Sequence, residues 1–158
     1  MNHAVLYVRD AVRTARFYRD VLGFQVIVDH PDGAYAFLRA NGSANHHDIA
    51  FFTVGADAGD PTPPRTVGLY HLAWEVPTLA DLDEARGRLV EAGALVGSSD
   101  HGVNKSLYAK DPDGLEFEVM WLTPPELWGT DEHEAIIRPL DLDAERATYG
   151  DDRTAAGR

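Results

Sequence analysis

The 158-residue chain contains no cysteine. Disulfides and thiolate metal sites are therefore excluded, and any metal ion must be held by His, Asp or Glu. No apolar run approaches the roughly 20 residues that cross a bilayer as a helix. No charged-then-apolar segment opens the chain, so the expectation is a cytoplasmic protein with no membrane partner. Positive charge is scarce: 14 Lys and Arg stand against 26 Asp and Glu, a formal net charge of -12. That balance argues against nucleic acid or an anionic membrane surface as a partner. There is no glycine-rich phosphate loop and no GxSxG elbow. What is present is a 44% hydrophobic chain, long enough to build a real core.

Its most informative feature is an internal repeat. "NHAVLYVRD" (2–10) and "YHLAWEVPT" (70–78) both place a histidine at the head of a short apolar strand, and His71 follows His3 by 68 residues. Each strand leads into a helix. Asp10 is the expected N-cap of the first, with Val12, Ala15, Tyr18 and Leu22 as its apolar stripe and Gly23 as its stop. Thr78 with Asp81 forms a capping-box pattern for the second, with Leu79, Leu82, Ala85 and Leu89 as its stripe and Gly93 at its end. Three strand-like runs follow each helix: 24–28, 34–40 and 48–54, then 94–98, 106–110 and 115–121. Their β-branched and aromatic content and period-two alternation favour strands. "DPDG" (111–114) is a turn between the last two.

The expected fold is α+β: two βαβββ modules, 1–54 and 67–122, joined by the Pro/Gly-rich linker 55–66 in one domain spanning 1–122. Paired, they would make a curved eight-stranded mixed sheet around a metal-binding cup, with helices outside. Residues 123–158 form an extension beyond the repeat, read as a strap in which Trp128, Ile136, Ile137 and Leu140 can dock, with a frayed end from 150.

Glu118 sits between Phe117 and Val119 and so faces away from both. A carboxylate in the middle of an apolar strand is costly unless a cation or donors compensate it. His3, His71 and Glu118 together supply two neutral nitrogens and one anionic oxygen, the set that holds Fe(II) on one face and leaves positions open. Mn(II) or Zn(II) accepts the same ligands. The offset of 68 pairs Glu118 with Ala50, which offers no fourth ligand. Each histidine taken singly reads as a hydrogen-bonded strand residue; it is the joint set that points to a metal. Tyr7, Phe52 and Trp74 are candidate aromatic lining.

"NHAVLYVRD…FYRDVLGF", "YHLAWEV" and "DPDGLEFEV" resemble the vicinal oxygen chelate superfamily, the fold of glyoxalases, bleomycin resistance proteins and dioxygenases. Three further features resemble its single-domain type I extradiol branch, the catechol 2,3-dioxygenase type. His47 in "HHDIAFF" matches that branch's acid–base histidine, and His101 and Tyr108 in "DHGVNKSLYAKDPDG" match its pocket histidine and tyrosine. The resemblance implies an Fe(II) enzyme, with Mn(II) as the other candidate, that opens a catechol-like aromatic with O2 in aromatic catabolism. It also implies His47, His101 and Tyr108 as catalytic residues. Strict alternation from Ala50 turns His47 away from the cup and leaves His46 the more inward of the two. The alternatives are a fosfomycin-type thiol transferase or glyoxalase-like lyase on the same metal triad, or a metal-free protein that sequesters an aromatic drug. The assembly expected is a homodimer.

Overall fold

The Asp10 carboxylate accepts the Arg13 N–H and starts the first helix, and Gly23 ends it in the left-handed conformation at φ 75°. Thr78 and Asp81 form the reciprocal capping box that starts the second. These caps sit in a computed structural model that describes residues 2–61 and 67–154. Residues 62–66 of the expected linker and 155–158 of the expected frayed end lie outside the described residues.

The element order is β1 (Ala4–Val8), α1 (Ala11–Leu22), β2 (Gln25–Asp29), β3 (Tyr35–Arg39), β4 (Ile49–Thr53), β5 (Leu72–Glu75), α2 (Leu79–Glu91), β6 (Leu95–Asp100), β7 (Asn104–Lys110) and β8 (Glu116–Leu122). Two 3-10 turns, Pro125–Leu127 and Gly129–His133, and a short helix α3 (Leu142–Tyr149) complete it. The eight strands are divided between two four-stranded mixed sheets, ordered β1-β4-β3-β2 and β5-β8-β7-β6.

The repeat is structural as well as sequential. In the first sheet Val5 pairs with Ala50, and in the second Ala73 pairs with Glu118, each member 68 residues after its counterpart. Both sheets are also irregular at one place, between Val26 and Val28 and between Leu95 and Gly97. An extra residue there bends the second strand of each module.

The chain divides into two compact units. One is Met1–Gly68 with Asp111–Leu115; the other is Leu69–Lys110 with Glu116–Arg158. In the first unit α1 covers Ala36, Leu38, Ile49 and Phe51, all buried. Its own buried face is Ala11, Thr14, Ala15, Tyr18 and Val21. The expected stripe was rotated: Val12 and Leu22 are only half-buried, because Val21 rather than Leu22 completes the row one turn beyond Tyr18. Within this unit the Asp113 carboxylate accepts the Arg9 backbone N–H at 2.9 Å and pairs with the Arg9 and Arg13 guanidinium groups. In the second unit α2 buries Leu79, Leu82, Ala85 and Leu89, as the sequence pattern predicts. Burying each leucine is worth about 1.5–3 kcal/mol. They pack over the face that carries Leu107, Phe117, Val119 and Trp121. Trp74 pairs with Val119 in the parallel ladder and so shares this helix-covered face. Its assignment to the lining on the Glu118 side is corrected accordingly. No helix among the described residues is long and apolar enough to cross a membrane.

The extension belongs to the second unit. Asp100 and Arg138 exchange two backbone hydrogen bonds of 2.9 Å, a one-residue antiparallel bridge at the end of β6. Lys105, buried, pairs with Asp100 and with Glu145 of α3. The Arg146 guanidinium reaches Asp83 of α2 at 2.6 Å. Ile136 docks into the unit, whereas Ile137 stays exposed, since neighbours in an extended segment point opposite ways.

Candidate active site

In β8, Phe117, Val119 and Trp121 face α2, so alternation turns Glu118 to the opposite face. Tyr108 stands directly across from it in β7. His71 precedes β5 and has the parity of Ala73, the residue paired with Glu118. The second unit thereby gathers four of its expected residues. His71 Nε2 lies 3.1 Å from Glu118 Oε2. The other carboxylate oxygen accepts a long 3.4 Å bond from Asn104 Nδ2, which also donates to the Ser106 hydroxyl at 2.6 Å. The Tyr108 hydroxyl is 2.8 Å from His101 Nε2, and His101 Nδ1 is 2.6 Å from the Ile136 carbonyl oxygen. Burial, and then the nearby Glu118 carboxylate, push the Tyr108 phenol above its ordinary pKa, so it stays protonated at neutral pH.

In the first unit the His3 Nδ1 lies 2.8 Å from the Asn2 side-chain oxygen, while the Asn2 amide nitrogen donates to Asn45. An amide oxygen only accepts, so in a neutral His3 ring the proton sits on Nδ1 and the lone pair on Nε2. The His47 ring stacks on Phe37 with centroids 5.0 Å apart and lies 4.5 Å from the His3 ring. Phe37 pairs with Ala50, so this is the Ala50 face. The alternation that turned His47 away does not apply, because His47 precedes β4 and lies in a turn. It is the half-buried member of the pair; His46 is exposed, and its carbonyl accepts from the Arg39 guanidinium. The turn is built on Asp48, whose carboxylate accepts from the Ala40 N–H, the Ser43 hydroxyl and the Asn45 amide. Burial alone would raise the Asp48 pKa, but these donors outweigh it and hold the carboxyl below its usual range. Burial, followed by the charges of His3 and His46, lowers the His47 pKa. Tyr7 and Phe52 lie on the face of Phe37 and Ala50.

Among the described residues no group of three or more His, Cys, Asp or Glu is gathered tightly enough to hold a metal ion. The second unit nonetheless has the chemistry of a partial ligand set. Two ligand atoms each about 2.1 Å from an ion and roughly 90° apart stand about 3 Å from one another. The His71 and Glu118 atoms are separated by 3.1 Å, and Glu118 is buried. His3 is in the first unit. Asn104, Asn45, Asp48 and the Ile136 carbonyl were not among the expected site residues. Asn45 and Asp48 do flank the two histidines in the sequence, a polar cluster that signals a built turn.

Two βαβββ modules with a histidine before each first strand and a carboxylate on the last strand define a vicinal-oxygen-chelate protein. The chain belongs to the Glyoxalase/Bleomycin resistance protein/Dioxygenase superfamily, whose family model matches residues 1–119. It is 31% identical over 157 residues to a catechol-2,3-dioxygenase of Bacillus subtilis, covering 97% of this chain and 53% of that protein. It is 35% identical over 129 residues to biphenyl-2,3-diol 1,2-dioxygenase 3 of Rhodococcus globerulus, covering 80% of this chain and 66% of that protein. The chain thus spans between about half and two thirds of the length of these relatives. A glyoxalase/bleomycin resistance/dioxygenase domain from Frankia shares the fold at a TM-score of 0.64 and 24% identity, over 78% of this chain and 97% of that one. A genomically encoded fosfomycin resistance protein from Listeria monocytogenes does so at 0.57 and 22%, over 78% and 93%.

Proposed function

We propose that this chain is an Fe(II)-dependent extradiol dioxygenase that takes a catechol-like aromatic and O2. The observation that carries the reading is the second unit's linked set. It comprises a buried carboxylate facing an imidazole at ligand-bite distance, and beside it a protonated phenol held by a second imidazole. The named activities of the dioxygenase relatives support it. His71 and Glu118, with His3 of the first unit, would hold Fe(II), Mn(II) being the other candidate. When bound, the metal acidifies the substrate hydroxyls and brings the two reactants within reach of each other.

The rest falls to the protein. His47, half-buried against Phe37, takes the proton of a substrate hydroxyl and later returns one. Tyr108, held by His101, positions the substrate by accepting a hydrogen bond from a substrate hydroxyl. The aromatic face formed by Tyr7, Phe37 and Phe52 offers rings on which the substrate ring stacks. Ala50, buried at the position equivalent to Glu118, adds no fourth ligand and leaves that side to a chelating substrate. That methyl distinguishes this reading from a lyase that uses four protein ligands.

The test is anaerobic purification with Fe(II), then oxygen uptake with catechol and biphenyl-2,3-diol. The expected outcome is stoichiometric oxygen consumption and a yellow ring-opened product. Iron bound at these residues with no oxygen uptake on any catechol, or turnover of a thiol with an epoxide instead, overturns it.

A further inference from the structure

The strap places a backbone carbonyl, not a side chain, against His101. A carbonyl oxygen can only accept, so the 2.6 Å contact requires the proton of a neutral His101 ring to sit on Nδ1. Nε2 then has only a lone pair to offer, and the Tyr108 hydroxyl 2.8 Å away must donate to it. The phenol has one proton. With that proton committed to His101, its oxygen can only accept: the Ser106 hydroxyl is one donor, and the remaining lone pair is left for a ligand on the Glu118 face.

The carbonyl is held firmly. Ile136 is buried, and two residues later Arg138 exchanges both backbone hydrogen bonds with Asp100, the residue before His101. The Asp100 carboxylate accepts the Gly102 N–H at 2.8 Å and the Lys105 ammonium, and Lys105 also reaches Glu145 of α3. Gly102 has φ 75°, and a Cβ there would stand 2.6 Å from Asp131 Oδ2 and 3.0 Å from Ile136 Cδ1. The side chains of Asp131 and Ile136 therefore lie directly on the loop that carries His101, at a position whose positive φ favours glycine.

We propose that the C-terminal extension is a positioning element: the Ile136 carbonyl selects the Nδ1–H tautomer of His101 and so fixes the direction of the Tyr108 proton. The site consequently prefers a ligand that presents an O–H or N–H donor to Tyr108 over one that presents an acceptor alone. The contribution to catalysis rests on the dioxygenase reading; the tautomer itself does not.

The experiment is long-range 1H–15N correlation on the full-length, 15N-labelled protein under mildly alkaline conditions. The His101 signals are assigned by their loss in His101→Gln. The expected spectrum has Nδ1 protonated and Nε2 bare. Arg138→Pro removes the N–H that docks the strap onto Asp100, and should return His101 to the Nε2–H form preferred by a free imidazole. Arg138→Ala keeps that N–H and should retain the wild-type tautomer. Wild-type protein with Nε2 protonated overturns the proposal, and so does an unchanged tautomer in folded Arg138→Pro. Should Arg138→Pro not fold, truncation of the chain after Thr123, which removes the Ile136 carbonyl, serves as the displacing variant under the same criterion. Absence of oxygen uptake beside a fixed Nδ1–H tautomer would refute the dioxygenase reading and leave the strap's role standing.

Discussion

The Tyr108 hydroxyl lies 2.8 Å from Nε2 of His101, and His101 is itself held by the carbonyl of Ile136. Tyr108→Phe removes the phenol and leaves Nε2 without its donor. A lost neutral hydrogen bond of this kind costs about 1 kcal/mol of stability. On the dioxygenase reading kcat should fall by about 100-fold through lost positioning of the substrate, with little change in bound iron. Chemical denaturation and steady-state oxygen uptake check the two effects; a wild-type kcat would remove Tyr108 from the chemistry.

On the dioxygenase reading His47→Ala should leave iron content intact, because that reading makes His47 a proton carrier and not a ligand. Removing a positioned acid–base group lowers turnover by about 10²–10⁴-fold. Metal analysis beside kinetics separates the roles. Loss of iron in parallel with activity would make His47 a ligand and displace His3 from the proposed set.

Glu118→Gln keeps the shape and an oxygen for Asn104 but discards the anion. Iron affinity should fall by at least about 100-fold, since even supporting residues around a metal site commonly cost 10–100-fold. In the metal-free protein the amide oxygen still accepts from Asn104 and faces His71, so stability should change by only about 1 kcal/mol. Anaerobic iron titration and thermal melts with chelator measure both. Unchanged iron binding would defeat the proposed site.

Asp111 supplies a test of pH dependence away from the chemistry. Its carboxylate accepts the Asp113 and Leu115 N–H groups through one oxygen, while the other is buried with no hydrogen-bond partner among the described residues. Burial is the main cause that lifts its pKa to about 6, with the Asp113 charge adding to it against those donors. The folded value is above the unfolded value of about 3.9, so the folded state binds this proton more tightly. Its stabilisation is complete below pH about 4 and is lost as pH rises through 6, a swing of about 3 kcal/mol. Asp111→Asn should flatten the melting temperature against pH over that interval. An identical slope in parent and variant would contradict the assignment.

Much of the architecture was legible because local rules and the repeat agree. Asp10, Thr78 and Asp81 cap the helices where their side chains demand, and the 68-residue offset predicts the matching of Ala50 with Glu118 that the strand registers display. The orientation of Glu118 followed from period two inside a strand. His47 did not yield to the same rule because it lies before β4, where alternation has no meaning and the Asp48 hydrogen bonds set direction. Trp74 was misplaced for a different reason: an aromatic residue suits a core and a cavity equally, and only its pairing with Val119 separates the two. The strap was hidden most deeply. Its contacts with Asp100 and His101 run through main-chain atoms of Ile136 and Arg138, and every residue has those atoms.

The alternation along β8 carries a last consequence. Phe117, Val119 and Trp121 serve the interior while Glu118, between them, serves the opposite surface. On the dioxygenase reading, demands on durability and on reactivity therefore fall on different letters of one short word. Selection can rewrite the even-numbered letter to change what the molecule does, as the alanine in the sister strand illustrates, without spoiling the odd-numbered ones that keep it upright.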